Sequence, residues 1–332
     1  MNRRNVLKTT FSVLCLLILI LDAKTALRGA NDGITLCITS IIPTLLPFSV
    51  LSKLLCSTLL GKNIPILRHL GMPKGTESIF LISLIGGYPI GAQCIDDAYK
   101  NGHITIEDAR RMLGFCNNAG PAFLFGILGH LFPNAVHLWS LFVIHILSAL
   151  LVGIILPQKS RRSCILTCNN ESSLAKSVEE STKALASVCC WIILFRILLA
   201  FIQRWIGWML TPTEQVIISG ILELSNGCIA LQSLNHSGTC FILASLFLSF
   251  GGGCVALQTV SVAKHCGIGE YFKGKILQSL ISVFLATAIQ SFLFSENDKL
   301  PSSVYLILIG CLGVLVYFSF FLRQKKVLAF AR

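Results

Sequence analysis

Gly86-Gly87-Tyr88-Pro89-Ile90-Gly91-Ala92-Gln93 lies in the apolar run 76–95, and the fold turns on how this stretch is read. A helix does not run through it easily, because Pro89 lacks a backbone donor and glycine is a poor helix former. Beside Ile79-Phe80-Leu81-Ile82 the break would release N–H and C=O groups that hydrocarbon cannot bond. Such a break survives at membrane depth only where protein or a polar cavity encloses it. The stretch therefore predicts a broken or re-entrant element in a polytopic membrane protein. Gly86, Gly87, Pro89, Gly91 and Gln93 become candidate solute-binding or gating residues. Close helix packing through small residues is the plainer explanation, and it accounts for the glycines better than for Pro89.

The rest of the chain agrees with a membrane class. Of 332 residues, 54% are hydrophobic and 13% charged, with a mean hydropathy of +0.76. A soluble domain usually carries about 25% charged residues. The 27 basic and 15 acidic residues leave a formal charge of +12, but the basic residues sit mostly between apolar runs, where positive-inside bias accounts for them. No run interleaves them with aromatics as a single-strand binder would, so nucleic acid is not an expected partner. The 14 cysteines lie mostly in apolar segments and read as small hydrophobes rather than a disulfide framework.

Ten apolar segments can be walked off: 6–21, 34–60, 76–95, 108–130, 134–157, 182–203, 214–234, 239–262, 272–294 and 303–322. They predict an all-α polytopic fold with about eight to ten transmembrane or re-entrant segments. The organisation expected is an N-terminal anchor (1–30), a first membrane half (31–157), a polar central loop (158–181) and a second half (182–332). An offset of 165 sets Gly86-Gly87 over Gly251-Gly252 and Gln93 over Gln258, a faint internal repeat. Paired Gly/Pro-interrupted segments in two halves point to a transporter's binding site, which adds Gly251, Gly252 and Gln258 to the candidates.

A second break falls at Asn117-Asn118-Ala119-Gly120-Pro121, after a helix start in which Thr105 caps and Asp108 stands three residues later. Adjacent amides at membrane depth need partners. Helix-to-helix bonding and solute binding serve equally well for Asn117 and Asn118, and Gly120 and Pro121 supply freed backbone. Glu223 is the carboxylate embedded in the run 214–234, followed by Asn226. It is expected to share a polar cavity with Asn117 and Asn118. Full crossing by all ten segments leaves almost no charge bias. Re-entry of 76–95 and 239–262 leaves only Lys24, Arg28, Arg204 and Lys299 outside. The charges thus favour eight crossings, two re-entrant hairpins, and both termini in the cytoplasm. Whether the halves are parallel or inverted stays open at this point.

The stretches Ile41-Ile42-Pro43-Thr44-Leu45-Leu46-Pro47-Phe48, Gly87 to Ala92, and Tyr99-Lys100-Asn101-Gly102 through Asn117 to Phe123 resemble the sporulation integral membrane proteins of spore-forming Gram-positive bacteria. That family belongs to the nucleoside-recognition, or Gate, domain group. The resemblance runs from about Asn31 to Pro157, and continues in pattern only through Glu223 to Gly227 and Gly251 to Gln258. It implies a cell-membrane protein required in spore formation, with concentrative nucleoside transporters among the wider relatives. Where those present a dense polar set, this chain offers mainly Gln93, Asn117, Asn118, Gln258 and Ser261. The expected function is a secondary transporter or permease for a small polar solute, with or without a coupling ion. The alternative is a scaffold supporting cortex or coat assembly. Expected partners are the bilayer, the solute, and either further copies of the chain or other sporulation membrane proteins. No catalytic motif, metal set or cofactor motif is present, so no enzyme is expected.

Overall fold

The computed structural model describes residues 3–156 and 173–293. The candidate segment 303–322, the C-terminus and most of the central loop lie outside them. Among the described residues the chain is entirely helical, without strands. The order is α1 (Arg3–Leu21), α2 (Ala23–Leu36), a π-helical turn (Cys37–Ile41), α3 (Ile42–Leu59), a 3-10 turn (Pro65–Leu70), α4 (Glu77–Gly86) and α5 (Ile90–Lys100). Then come α6 (Ile106–Leu113), α7 (Pro121–Ile127), α8 (Ala135–Ile155), α9 (Leu174–Ile206), α10 (Pro212–Leu222), α11 (Leu224–Ala230), α12 (Ser237–Phe250), α13 (Gly252–Val262) and α14 (Gly269–Leu293). Helix α2 runs through residue 30, where the sequence placed the end of an anchor. Among the described residues five stretches are long and apolar enough to cross a membrane: Ala23–Leu55, Ala135–Ile155, Leu174–Met209, Ser237–Val262 and Gly269–Gln290.

Local chemistry sets the helix starts. Thr105 accepts from the Asp108 backbone N–H at 3.2 Å. Asn134 accepts from Val136 at 2.9 Å. Thr211 and Glu214 form a reciprocal capping box ahead of α10, with Pro212 in its first turn. Each cap satisfies orphan donors that apolar surroundings would leave bare.

Helices α2 and α3 run antiparallel to α9 along its whole length. Gly29 packs on Ile197 and Ala200, Gly33 on Ile193, Cys37 reaches Cys189 O, and Lys53 pairs with Glu180 at 3.0 Å. Two glycines four apart let the backbones approach closely. This pair defines two ends of the molecule. Face I holds the end of α3 and the start of α9; face II holds the start of α2 and the end of α9. Helices α12 and α14 are likewise antiparallel, with Ser245 on Ser282 at 2.5 Å and Phe250 near Phe272. The 263–268 connection meets α5 and α6 at face I, through Asp96 to His265 and Arg110 to Cys266 O.

Two helix pairs fold back on themselves. Ser83 in α4 lies against Gly91 in α5, and a Cβ on Gly227 in α11 would overlap the Gly220 backbone in α10. Residues seven or eight apart in a continuous helix would stand more than about 10 Å apart, so the chain reverses at 86–90 and at Glu223. By contrast α12 packs on α14 and α8, while α13 packs on α5, α9 and α10. That corrects two expectations. The second element to fold back is 212–233, not 239–262, which is one of the five membrane-long stretches. The offset of 165 therefore pairs unlike parts, a reversing turn at Gly86-Gly87 with a helix junction at Gly251-Gly252. Glycine-rich sequence marks both because both need close backbone approach, and sequence alone does not separate them.

Candidate functional site

Each reversing turn sits against a helix junction. Gly87 (φ +71°) has the Gly120 backbone so close that a Cβ would meet its N at 3.0 Å. Gly252 (φ +80°) would place a Cβ 3.2 Å from Gly220 O and 3.3 Å from Leu222 O. Both φ values are ones that L side chains rarely adopt. The two assemblies are tied together at Tyr88, whose hydroxyl donates to Leu248 O at 3.1 Å, just ahead of the α12/α13 junction.

A small cavity of about 80 Å³ lies where these parts converge. Its walls are Gly86 to Ile90 from the first turn, Gly120 at the head of α7, Glu223 to Ser225 from the second turn, and Val255 and Gln258 of α13. Helix α3 adds Leu45, Phe48 and Ser49, and α9 adds Ala184, Leu185, Val188 and Ile192. The lining is mostly apolar, with polar groups confined to a few positions, the usual composition of a small-molecule site. Toward face I, Pro89, Ala184, Val188 and Gln258 are shared with a polar cleft that also holds Lys53, Gln93, Asp97, Glu180, Lys183 and Ser261. Toward face II a cleft bounded by Asp32, Thr39, Arg196, Gln203, Gln215 and Asn226 shares no wall residue with the cavity. Buried Ile41, Ile192 and Leu224 line the cavity on that side.

Glu223 is 2% exposed and ends α10 while capping α11. Its carboxylate accepts from the Ser225 N–H at 2.9 Å, the Asn226 N–H at 2.7 Å and Asn226 Nδ2 at 2.7 Å. These bonds answer the cost of burying the group. Asn117 and Asn118 are fully buried and do not line the cavity, so the shared polar cavity expected for them with Glu223 does not form. Asn117 Nδ2 donates to Thr259 Oγ1 at 2.8 Å, and Asn118 Nδ2 to Phe115 O at 2.7 Å and Ser83 Oγ at 3.2 Å. They stitch the α6–α7 connection to α13 and α4. Gly91 is a packing position, since a Cβ there would collide with Cys116 O. Gly251 packs beside the Tyr88 hydroxyl. Pro121 opens α7, and Gln93 and Asn226 belong to the flanking clefts.

Two residues outside the sequence candidates complete this region. His145 of α8 accepts the Ala119 N–H through Nε2 at 3.2 Å and meets Ser249 Oγ through Nδ1 at 3.5 Å. It thereby satisfies one backbone donor that the α6–α7 break frees. Lys275 of α14 is fully buried, with Nζ 2.8 Å from Gln278 Oε1 and 3.4 Å from Asn118 Oδ1. The sequence of α14, which carries Lys273 and Lys275 in its first two turns, gives no sign of which neighbour Lys275 will meet. Among the described residues no His/Cys/Asp/Glu group could hold a metal ion.

The sporulation integral membrane protein YlbJ of Bacillus subtilis (strain 168) is 25% identical to this chain over 146 residues, covering 42% of the chain and 36% of that protein. The similarity thus spans little more than a third of the relative's length. No family model and no solved structure matches the chain.

Proposed function

We propose that the chain is a secondary transporter for a small solute, acting in spore formation, with its substrate cavity between the two reversing turns. The observation that carries this reading is the convergence of both turns, Gly120 and the start of α13 on one small cavity of about 80 Å³. Discontinuous helices pointing at a central site are the architecture of many transporters. The element order supports two inverted halves. Helices α2–α3, the α4/α5 turn, α6–α7 and α8 correspond to α9, the α10/α11 turn, α12–α13 and α14. The first turn enters from face I and the second from face II. In this register Asn117 to Pro121 answers Gly251-Gly252, and Tyr88-Pro89 answers Glu223. The Gate group rests on the motif resemblance alone, and the spore role on that resemblance and on the similarity to the B. subtilis sporulation integral membrane protein.

The test is uptake of a panel of labelled small polar solutes into membrane vesicles made with the wild type, with Gly87→Leu, or without the protein. At least one solute should accumulate with the wild type and fall to the protein-free level with Gly87→Leu. Identical uptake in all three would sink the transporter reading and leave the scaffold.

A further inference from the structure

Lys275 carries an ammonium group inside an apolar helix, and nothing in the solute cavity uses it. Its Nζ touches Gln278 Oε1 and Asn118 Oδ1, and lies 5.3 Å from the centroid of the Tyr88 ring. Gln278 Nε2 donates to the same Asn118 oxygen at 3.1 Å, so the two α14 groups converge on the α6–α7 connection. No carboxylate pairs with the ammonium among the described residues. The titratable groups facing it are Tyr88 from the first turn, Cys116 after α6 and His145 from α8. None is an acid that would fix its charge. A buried cation held by neutral dipoles alone is costly to keep, and an ionisable residue at such a depth is a functional site by default.

We propose that Lys275 is a proton-binding site that couples solute movement to the proton, resting on the transporter reading above. Tyr88 links the two sites, because it lines the solute cavity and its ring also lies against the ammonium. When the first turn shifts, the ring uncovers Nζ. The ammonium then gives one proton to water and becomes a neutral amine, which still donates an N–H to Gln278 Oε1. Water on the other face returns one proton before the turn closes. One proton therefore crosses per cycle, with no other bond made or broken. Lysine can perform this step within a protein and arginine cannot. The scheme moves one proton and no metal cation, so sodium has no role in it.

Three measurements test the proposal. A difference acid–base titration of purified wild type minus Lys275→Met, across the neutral range, should show one proton per chain; zero overturns the assignment without touching the transporter reading. Should Lys275→Met fail to fold, Lys275→Gln serves in its place. The melting temperature of the wild type should be the same in sodium chloride as in choline chloride at equal ionic strength, and a sodium-specific rise overturns the proposal. Finally, Lys275→Arg should fold yet lose at least tenfold in heat-resistant spore count when it is the sole copy. Wild-type counts with Lys275→Arg would mean that a fixed charge suffices, and would also overturn it. Loss of the transporter reading is scored separately, by the vesicle comparison of wild type and Gly87→Leu.

Discussion

Arg111 shows how a single side chain can be read wrongly from helix periodicity. Ile106, Ala109 and Leu113 share one face of α6, which turns Arg111 away from it, yet Arg111 is only 7% exposed. Its guanidinium donates to Leu70 O at 2.5 Å, Gly71 O at 3.1 Å, Gly153 O at 2.6 Å and Leu156 O at 3.1 Å, with the Phe115 ring 5.2 Å away. Four carbonyls from two segments meet one planar fork, at the C-terminal end of α8 where the helix dipole favours a cation. Lysine cannot reproduce that fork. Arg111→Lys should lower stability by about 3 kcal/mol, read as a fall in the detergent melting temperature larger than that of Arg68→Lys. Equal falls would show that the carbonyl cage contributes nothing. Glu223 is a second case. The sequence marked it as functional because a carboxylate in an apolar run needs a partner, and that partner proves to be the start of its own next helix. Glu223→Gln removes one acceptor and sets an amide N–H against a backbone N–H. It should cost about 1 kcal/mol as a weakened cap and reduce solute uptake severely. Full uptake would confine Glu223 to capping.

At the scale of elements, glycine-rich stretches were legible as discontinuities, but the kind of discontinuity was not. The α4/α5 reversal needs Gly91 against Cys116 O, whereas the α12/α13 junction needs Gly252 against Gly220 O and Leu222 O. Both requirements write glycine, and only the partner backbone tells them apart. The α10/α11 reversal was missed because it has no proline and its key contact joins Gly220 to Gly227, two glycines spaced like ordinary packing positions. Space around each glycine gives a prediction. Gly91→Ala should be destabilised by roughly 1–3 kcal/mol through overpacking and lose function. Gly102→Ala has φ +72° but nothing within 4 Å, so it should show only backbone strain of about 1–2 kcal/mol and keep function. Comparable losses of solute uptake in both would mean that the α4/α5 seat does not depend on close backbone contact.

For the whole molecule, the charges acquire a clear sense once the two reversals are placed. Lys53, Lys62, Arg68, Lys74, Lys100, Arg110, Arg111, Lys183 and Lys264 cluster toward face I, while Lys24, Arg28, Arg196 and Arg204 lie toward face II. The sequence tally reached the same bias with the wrong second hairpin, since moving re-entry from 239–262 to 212–233 transfers only the short connection around His236, which carries no Lys or Arg. That coincidence is why charge counting gives a bias of sides without locating the crossings. Positive-inside bias predicts a cytoplasmic face I, and the cavity adjoins the face I cleft through Pro89, Ala184, Val188 and Gln258. Single cysteines offer the check, in a background whose native cysteines are replaced. Lys62→Cys and Gln258→Cys should react with a membrane-impermeant maleimide only in inside-out vesicles. Trp208→Cys, at an 81% exposed position beyond the end of α9, should react only in right-side-out ones. Reaction of Gln258→Cys from the Trp208 side would mean that the barrier of Ile41, Ile192 and Leu224 does not seal the cavity. Reaction of Lys62→Cys from that side would reverse the orientation of the whole chain.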